Sequence, residues 1–124
     1  MSKGIYNPAY FASHPEECNK PASLYVVVLV NRKTHLRECV KIGITAQGTD
    51  WRAALKRSKG FTGYDIRIQK IVSGPLEDIY YLEDYLHELW SEYKYTEASK
   101  FGGHTELFKI EKLKEILASV PSTL

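Results

Sequence analysis

The order of apolar and polar positions along the chain predicts a small sheet. Residues 24–30 are apolar and mostly β-branched, so they predict a strand that is covered on both faces. Residues 38–45 alternate in polarity and predict a returning antiparallel strand after a charged hairpin loop. A third strand is predicted over 64–72, and a short fourth strand or extended segment over 105–108.

Three helices are predicted around these strands. Asp50 is a suitable N-cap for a short helix over 51–58. Pro75 opens the longest helix, whose apolar positions follow the i, i+3, i+4 spacing of a buried stripe; they are Ile79, Leu82, Leu86, Leu89, Trp90 and Tyr93. A C-terminal amphipathic helix follows over 110–120. The order β-β-α-β-α-β-α predicts an α/β (α+β) fold, a mostly antiparallel sheet of three to four strands flanked by helices.

Length and composition indicate a single domain. The chain has 124 residues, of which 44% are hydrophobic and 26% charged, a balance that excludes disordered, collagen-like and coiled-coil proteins. Residues 1–22 carry three prolines and no periodicity, so we expect an irregular lead-in, with one helical turn at 15–17, before a domain over 23–124. Neither a membrane-length apolar run nor a signal segment is found, so we expect an intracellular, cytoplasmic protein with no membrane partner.

The net charge does not by itself indicate a nucleic-acid-binding protein. Seventeen Lys and Arg face fifteen Asp and Glu, which leaves only +2. Any basic surface must therefore be local. Lys56, Arg57 and Lys59 form one such local run.

Glu83 lies at an unexpected position on the long helix. Because successive residues turn by about 100°, it falls close to Ile79 and Trp90, at the edge of the apolar stripe. A buried carboxylate needs a cation, a hydrogen-bond donor or a metal ion, and His87 follows one turn later near the same surface. The alternative is an edge glutamate whose carboxylate reaches water.

Lys41 interrupts the second strand between two apolar residues, and we match it with Tyr25 on the neighbouring strand. A lysine beside a phenol favours the phenolate, which can act as a base; the alternative is an edge lysine that blocks aggregation. Gly43 predicts a bulge or a close backbone approach. Arg52 has the side chain best suited to phosphate recognition, unless it is an ordinary surface residue.

Two cysteines and two histidines allow a different site. His14 and Cys18 share an H-x-x-x-C spacing with His35 and Cys39, so the four residues are candidates for a zinc site. The alternative is two ordinary thiols and two surface histidines. The two cysteines form no Cys-x-x-Cys motif, which argues against a disulfide framework. The sequence also places no histidine against either thiol, so it does not predict nucleophilic catalysis by a cysteine.

Short motifs, taken in order, resemble those of the GIY-YIG nuclease superfamily. They are Leu24-Tyr25-Val26, Lys41-Ile42-Gly43, Arg52, Glu83 with Leu86 and His87, and Thr105-Glu106-Leu107-Phe108. The series covers roughly residues 23–110 and is most similar to the branch, common in phages and bacteria, that has lysine in place of the second tyrosine. Gly4-Ile5-Tyr6 spells the family motif literally but lacks a strand, so we assign the functional tyrosine to Tyr25.

The resemblance implies a metal-dependent endonuclease of a bacterial or phage-infected cell that hydrolyses phosphodiester bonds in DNA, with RNA as an open alternative. Tyr25 would be the general base, Arg52 would neutralise the phosphate, and Glu83 would hold one Mg²⁺ or Mn²⁺. The implied catalytic residues are Tyr25, Lys41, Arg52, Glu83 and His87, with Gly43 and Glu106 in support and Lys56, Arg57 and Lys59 on the DNA backbone.

Two other classes of function stay open. A non-catalytic nucleic-acid-binding or adaptor module would keep the same fold, and a structural or protein-interaction domain would suit the nine tyrosines. A net charge of +2 predicts weak intrinsic affinity for DNA, so we expect the domain to depend on a partner protein, a homodimer or a particular DNA structure. No motif predicts sequence specificity.

Overall fold

One antiparallel sheet organises the molecule. The computed structural model describes residues 7–46, 63–95 and 107–124. Within these ranges the sheet has four strands in the order β3-β1-β2-β4, and their bounds are Pro21–Asn31 for β1, Arg37–Ala46 for β2, Tyr64–Pro75 for β3 and Leu107–Lys109 for β4. The predicted α+β fold, a small antiparallel sheet flanked by helices, is confirmed.

The central strand β1 is covered on both faces, as its continuous apolar sequence predicts. Leu24, Val26 and Val28 lie in the main core. The alternate residues Val27 and Leu29 are equally buried but belong to a second, smaller cluster on the opposite face. Because β1 is paired with β2 on one side and β3 on the other, it has neither a free edge nor a free face.

Three α-helices lie within the described residues, and their bounds are Pro8–Ser13 for α1, Leu76–Leu89 for α2 and Leu113–Ser119 for α3. Pro75 precedes α2, and two acidic residues occupy its first turn, where they face the positive end of the helix dipole. The helix predicted over 51–58 lies outside the described residues. None of the helices described is long and apolar enough to cross a membrane.

The N-terminal segment is more ordered than its prolines suggest. The turn predicted at 15–17 is present as a 3₁₀ helix, but α1 precedes it, capped by the Asn7 side chain, which accepts a hydrogen bond from the Tyr10 N–H at 2.8 Å. Phe11 on α1 is only 3% exposed, and its ring meets Tyr80 edge-on at 5.3 Å. An irregular lead-in is therefore the wrong description of residues 8–13, because a six-residue helix is too short to display a period.

The C-terminal helix is attached to both the sheet and α2. Lys70 Nζ on β3 donates to the Val120 carbonyl at 2.6 Å, next to the end of α3. Trp90 Nε1, at the end of α2, donates to Ser119 Oγ at 3.0 Å. A cation near the last carbonyls of a helix stabilises its negative dipole end, so these contacts fix the register of α3 on the sheet.

Replacing Phe11 by Ala should destabilise the whole domain, because α1 contributes its ring to the main core. We expect a loss of about 3 kcal/mol, as is typical of a buried Phe→Ala change, measured as the free energy of unfolding in urea. Leu36→Ala is the control, because Leu36 lies exposed on the β1–β2 hairpin. A loss below about 1 kcal/mol would show that α1 is dispensable to the core.

Candidate active site

Tyr25 lies directly over the backbone of Gly43. The two residues face each other in the β1–β2 pairing, and a Cβ on Gly43 would lie only 2.5 Å from the Tyr25 hydroxyl oxygen and 2.6 Å from Cζ. Glycine is thus needed at position 43 for space. The close backbone approach predicted at Gly43 is present, and the approaching group is the Tyr25 phenol, which is 7% exposed.

Lys41 is buried beside this tyrosine. We predicted that Lys41 would pair with Tyr25. That prediction was wrong, because Lys41 pairs with Val27 of β1, two residues after Tyr25. Its Nζ lies 6.0 Å from the centroid of the Tyr25 ring, at the outer limit of a cation–π contact. Because β4 pairs with β2 at Leu107↔Lys41, Lys41 is an interior residue of the sheet, 3% exposed, and not an edge protector.

Glu83 is completely buried on α2, at 0% exposure. It points the same way as the core residues Ile79, Tyr80 and Leu86 of that helix. An edge glutamate whose carboxylate reaches water is therefore excluded. Removing an ionised carboxylate from water costs several kcal/mol, so its surroundings must supply compensating charge or donors.

His87 joins α2 to the strand that carries Lys41 and Gly43. Its Nε2 lies 3.1 Å from the Ile42 carbonyl oxygen, and because a carbonyl can only accept, Nε2 carries the proton and donates. The same nitrogen is 3.8 Å from Glu83 Oε2, longer than a hydrogen bond. His87 therefore fixes α2 against β2 at Ile42, one residue beyond the last pair with β4.

The predicted residues fall into two groups. Tyr25, Lys41 and Gly43 share one face of β1 and β2, because alternate residues of a strand point the same way. Glu83 and His87 belong to α2, whose apolar residues pack with Val26 and Ile42 on the opposite face. The two groups are connected at Ile42, which lies between Lys41 and Gly43 in sequence and whose carbonyl accepts the hydrogen bond from His87. Arg52, Lys56, Arg57, Lys59 and Glu106 lie outside the described residues.

A carboxylate that we had not singled out organises the rest of the Tyr25 face. Glu38 Oε2 accepts hydrogen bonds from the hydroxyls of Tyr95 at 2.8 Å and Tyr64 at 3.1 Å, and its Oε1 accepts one from Asn31 Nδ2 at 3.2 Å. Both tyrosine rings also pack against the cluster that contains Tyr25. Because these residues are far apart in sequence, no local motif could have revealed the contact.

The four candidate zinc ligands are not brought together. Cys18 packs beside the main core, whereas Cys39 is buried in the second cluster across the sheet. The His14 ring stacks on Tyr10 at 4.2 Å instead, and the residues that the structure describes, all four candidates among them, contain no group of three or more potential ligands. Burial, assisted by the Glu77 carboxylate, also raises the pKa of the Cys18 thiol, which is the opposite of what an activated nucleophile needs.

Replacing Gly43 by Ala should disturb the tyrosine directly. Since the new methyl group would overlap the phenol, we expect a loss of about 1–3 kcal/mol in the free energy of unfolding, the usual cost of overpacking, measured by urea denaturation. In a Tyr25→Ala background the same substitution should cost much less, because the clash is removed.

Gly63→Ala is the matched control, because nothing lies within 4 Å of a Cβ built there. It should change the stability by no more than about 1 kcal/mol in either direction. If Gly43→Ala costs the same in both backgrounds, the phenol is not what requires glycine at this position.

Comparison with known proteins identifies a family for this sequence. The model of the T5orf172 domain matches residues 22–121, a range that contains β1 except for Pro21, and all of β2, β3, β4, α2 and α3. No curated protein and no solved structure matches the chain significantly. Since the match covers most of the sequence, the chain belongs to the T5orf172 domain family.

Proposed function

We propose that this domain is a metal-dependent endonuclease of the GIY-YIG type that hydrolyses phosphodiester bonds in DNA. The observation that carries the proposal is the Tyr25 phenol held against Gly43 with the buried Lys41 ammonium nearby. Core positions on a central strand pair ordinarily hold aliphatic side chains. A phenol and an ammonium in those positions need a reason beyond packing, and proton transfer is the chemistry they share.

Tyr25 is the general base in this proposal. A phenol accepts a proton from an attacking water only after losing its own, and a nearby cation favours that loss. In a buried setting the attraction between charges is stronger than in water. The Lys41 ammonium lies near the Tyr25 ring, so we assign Lys41 the role of positioning the phenol and favouring the loss of its proton.

The residues present fit a divalent metal ion at Glu83. A carboxylate is the hard oxygen donor that Mg²⁺ and Mn²⁺ prefer, and Mg²⁺ binds through one or two carboxylates with water and substrate oxygens completing its shell. A completely buried carboxylate such as Glu83 is stabilised by a positive charge beside it, which such an ion provides. When bound, such an ion would supply Lewis-acid stabilisation of phosphate charge on the α2 side of the sheet, across from Tyr25 and Lys41.

The remaining residues of this chain hold and orient the phosphodiester. We assign Arg52 to the scissile phosphate because its guanidinium makes paired hydrogen bonds to phosphate oxygens. Lys56, Arg57 and Lys59 are assigned to the DNA backbone. His87 donates to the Ile42 carbonyl, so we now assign it a positioning role between α2 and β2 instead of a catalytic one.

A second function is favoured by the same burial. Glu83 is 0% exposed and Tyr25 only 7%, and a substrate must touch the groups that act on it. A non-catalytic nucleic-acid-binding module that keeps the fold would use both residues to stabilise the core. Only the endonuclease requires divalent ions, so the two functions differ in whether a chelator abolishes the activity.

Cleavage of nucleic acid is the direct test. The full chain, incubated with single-stranded, duplex and branched DNA and with RNA, should cleave at least one DNA substrate with Mg²⁺ or Mn²⁺ and none with a chelator. Tyr25→Phe should lower the rate by about 10²–10⁴-fold, the usual contribution of a general base. Tyr93→Phe is the matched control, because its ring lies against Lys112, just after the C-terminal end of α2. No cleavage of any substrate, or equal rates for both variants, would count against the proposal.

Replacing Glu83 by Gln separates the two functions. If Glu83 binds a metal, the wild-type melting temperature should rise with Mg²⁺ or Mn²⁺, because a ligand of the folded state stabilises it, and the variant should lose both this rise and cleavage. If Glu83 is only structural, the wild type should show no rise, and the variant should lose about 1–3 kcal/mol of stability because an amide cannot replace every contact of the buried carboxylate. Glu115→Gln on the exposed side of α3 is the control for both measurements.

A further inference from the structure

The outer surface of α2 is apolar and acidic at once. Tyr81, Tyr85 and Leu89 recur at i, i+4 and i+8 and are all exposed, Tyr85 to 57%. Since successive residues turn by about 100°, the centre of this stripe is turned by about 110° from Ile79 and Leu86, which carry the helix into the core. It covers about 12 Å of helix, or two turns.

Negative charge surrounds this stripe. Residues 71–93 contain six acidic side chains and no Lys or Arg, although the whole chain has a net charge of +2. Only Glu83 of the six is buried; the others are Glu77, Asp78, Asp84, Glu88 and Glu92. On the helical wheel Glu88 lies about 20° beyond Tyr81, and Asp78 falls between Tyr85 and Leu89. We call this surface, formed by Asp78, Tyr81, Tyr85, Glu88 and Leu89, the α2 outer face.

We propose that the α2 outer face binds a basic amphipathic helix of another protein or domain. Large side chains at i, i+4 and i+8 are the spacing with which one helix receives the apolar ridge of another. Lys or Arg residues beside that ridge would meet the flanking carboxylates, and complementary charge speeds and orients such an encounter. Tyrosine suits an interface because it supplies contact area with few rotatable bonds.

The charge also argues against the other two classes of partner. Nucleic acid is repelled by a face that carries Asp78 and Glu88, on a segment, residues 71–93, that has five carboxylates that are not buried and no Lys or Arg. Two copies of this chain packed α2 against α2 around a two-fold axis would bring like charges together, which is unfavourable for such an interface. A basic helix is the occupant that satisfies both the apolar stripe and its rim.

Binding of a designed peptide tests the proposal. The probe is a fluorescein-labelled helix of about three turns with Leu on one face and Lys beside it; its twin carries Glu in place of every Lys. We expect the Lys peptide to bind at least about tenfold more tightly than its twin, with an affinity that falls as salt rises. Chemical-shift changes in the amide spectrum should cluster on residues 78–92.

Variants assign the binding to this face. Tyr85→Ala combined with Leu89→Ala should weaken binding at least about tenfold, and Asp78→Lys combined with Glu88→Lys should reverse the preference between the two peptides. Leu36→Ala removes a leucine that is more exposed than Leu89 from the β1–β2 hairpin and should leave binding unchanged. Equal binding of both peptides, absence of binding, or wild-type affinity in the double alanine variant overturns the proposal. Sedimentation showing a dimer that the double alanine variant loses would identify a second copy as the occupant, and also overturns it.

Discussion

The burial of two ionisable side chains is the constraint on which the rest of this structure depends. Lys41 and Glu83 are both almost completely removed from water, and each such group costs several kcal/mol unless its surroundings compensate. A domain of this size has a net stability of only about 5–15 kcal/mol. The strands and helices must therefore be arranged so that compensation is built in. The paired strand β1, covered on both faces, provides the two dry environments in which these groups lie.

Local sequence predicted the elements more reliably than it predicted their pairing. The uninterrupted apolar run of β1 and the stripe of α2 from Ile79 to Leu86 were visible because burial on both faces and on one face leave different patterns. Leu89, which we also placed in that stripe, is exposed. The predicted pairing of Lys41 with Tyr25 was wrong by two residues. A shift of two residues leaves the alternation of polar and apolar positions unchanged, so the sequence pattern does not distinguish the two registers. The irregularity between Leu29 and Val30 that helps to set the register has no signature in composition.

The candidate site was only partly visible in sequence for a similar reason. Glu83 was recognisable because a carboxylate on an apolar stripe violates the helical pattern, yet whether it reached water depended on tertiary packing. Gly43 was recognisable as an exception within a strand, and the reason for it, the Tyr25 ring, lies across the hairpin. The three residues that bind Glu38 come from separate elements, so contacts of this kind follow only from the fold.

One face of α2 is buried in the core and the other is exposed to solvent. This difference limits how a partner on the exposed face can affect the buried one. The inner face holds Glu83 among core residues and is bonded to β2 through His87, whereas the side chains of the outer face are exposed. A partner on the outer face changes the inner one only if it binds a shifted helix more tightly than the present one. The close packing of Ile79 and Leu86 resists such a shift, because displacing core side chains costs more than a surface contact returns. The structure therefore favours a helix that tethers a partner while its inner residues keep their geometry.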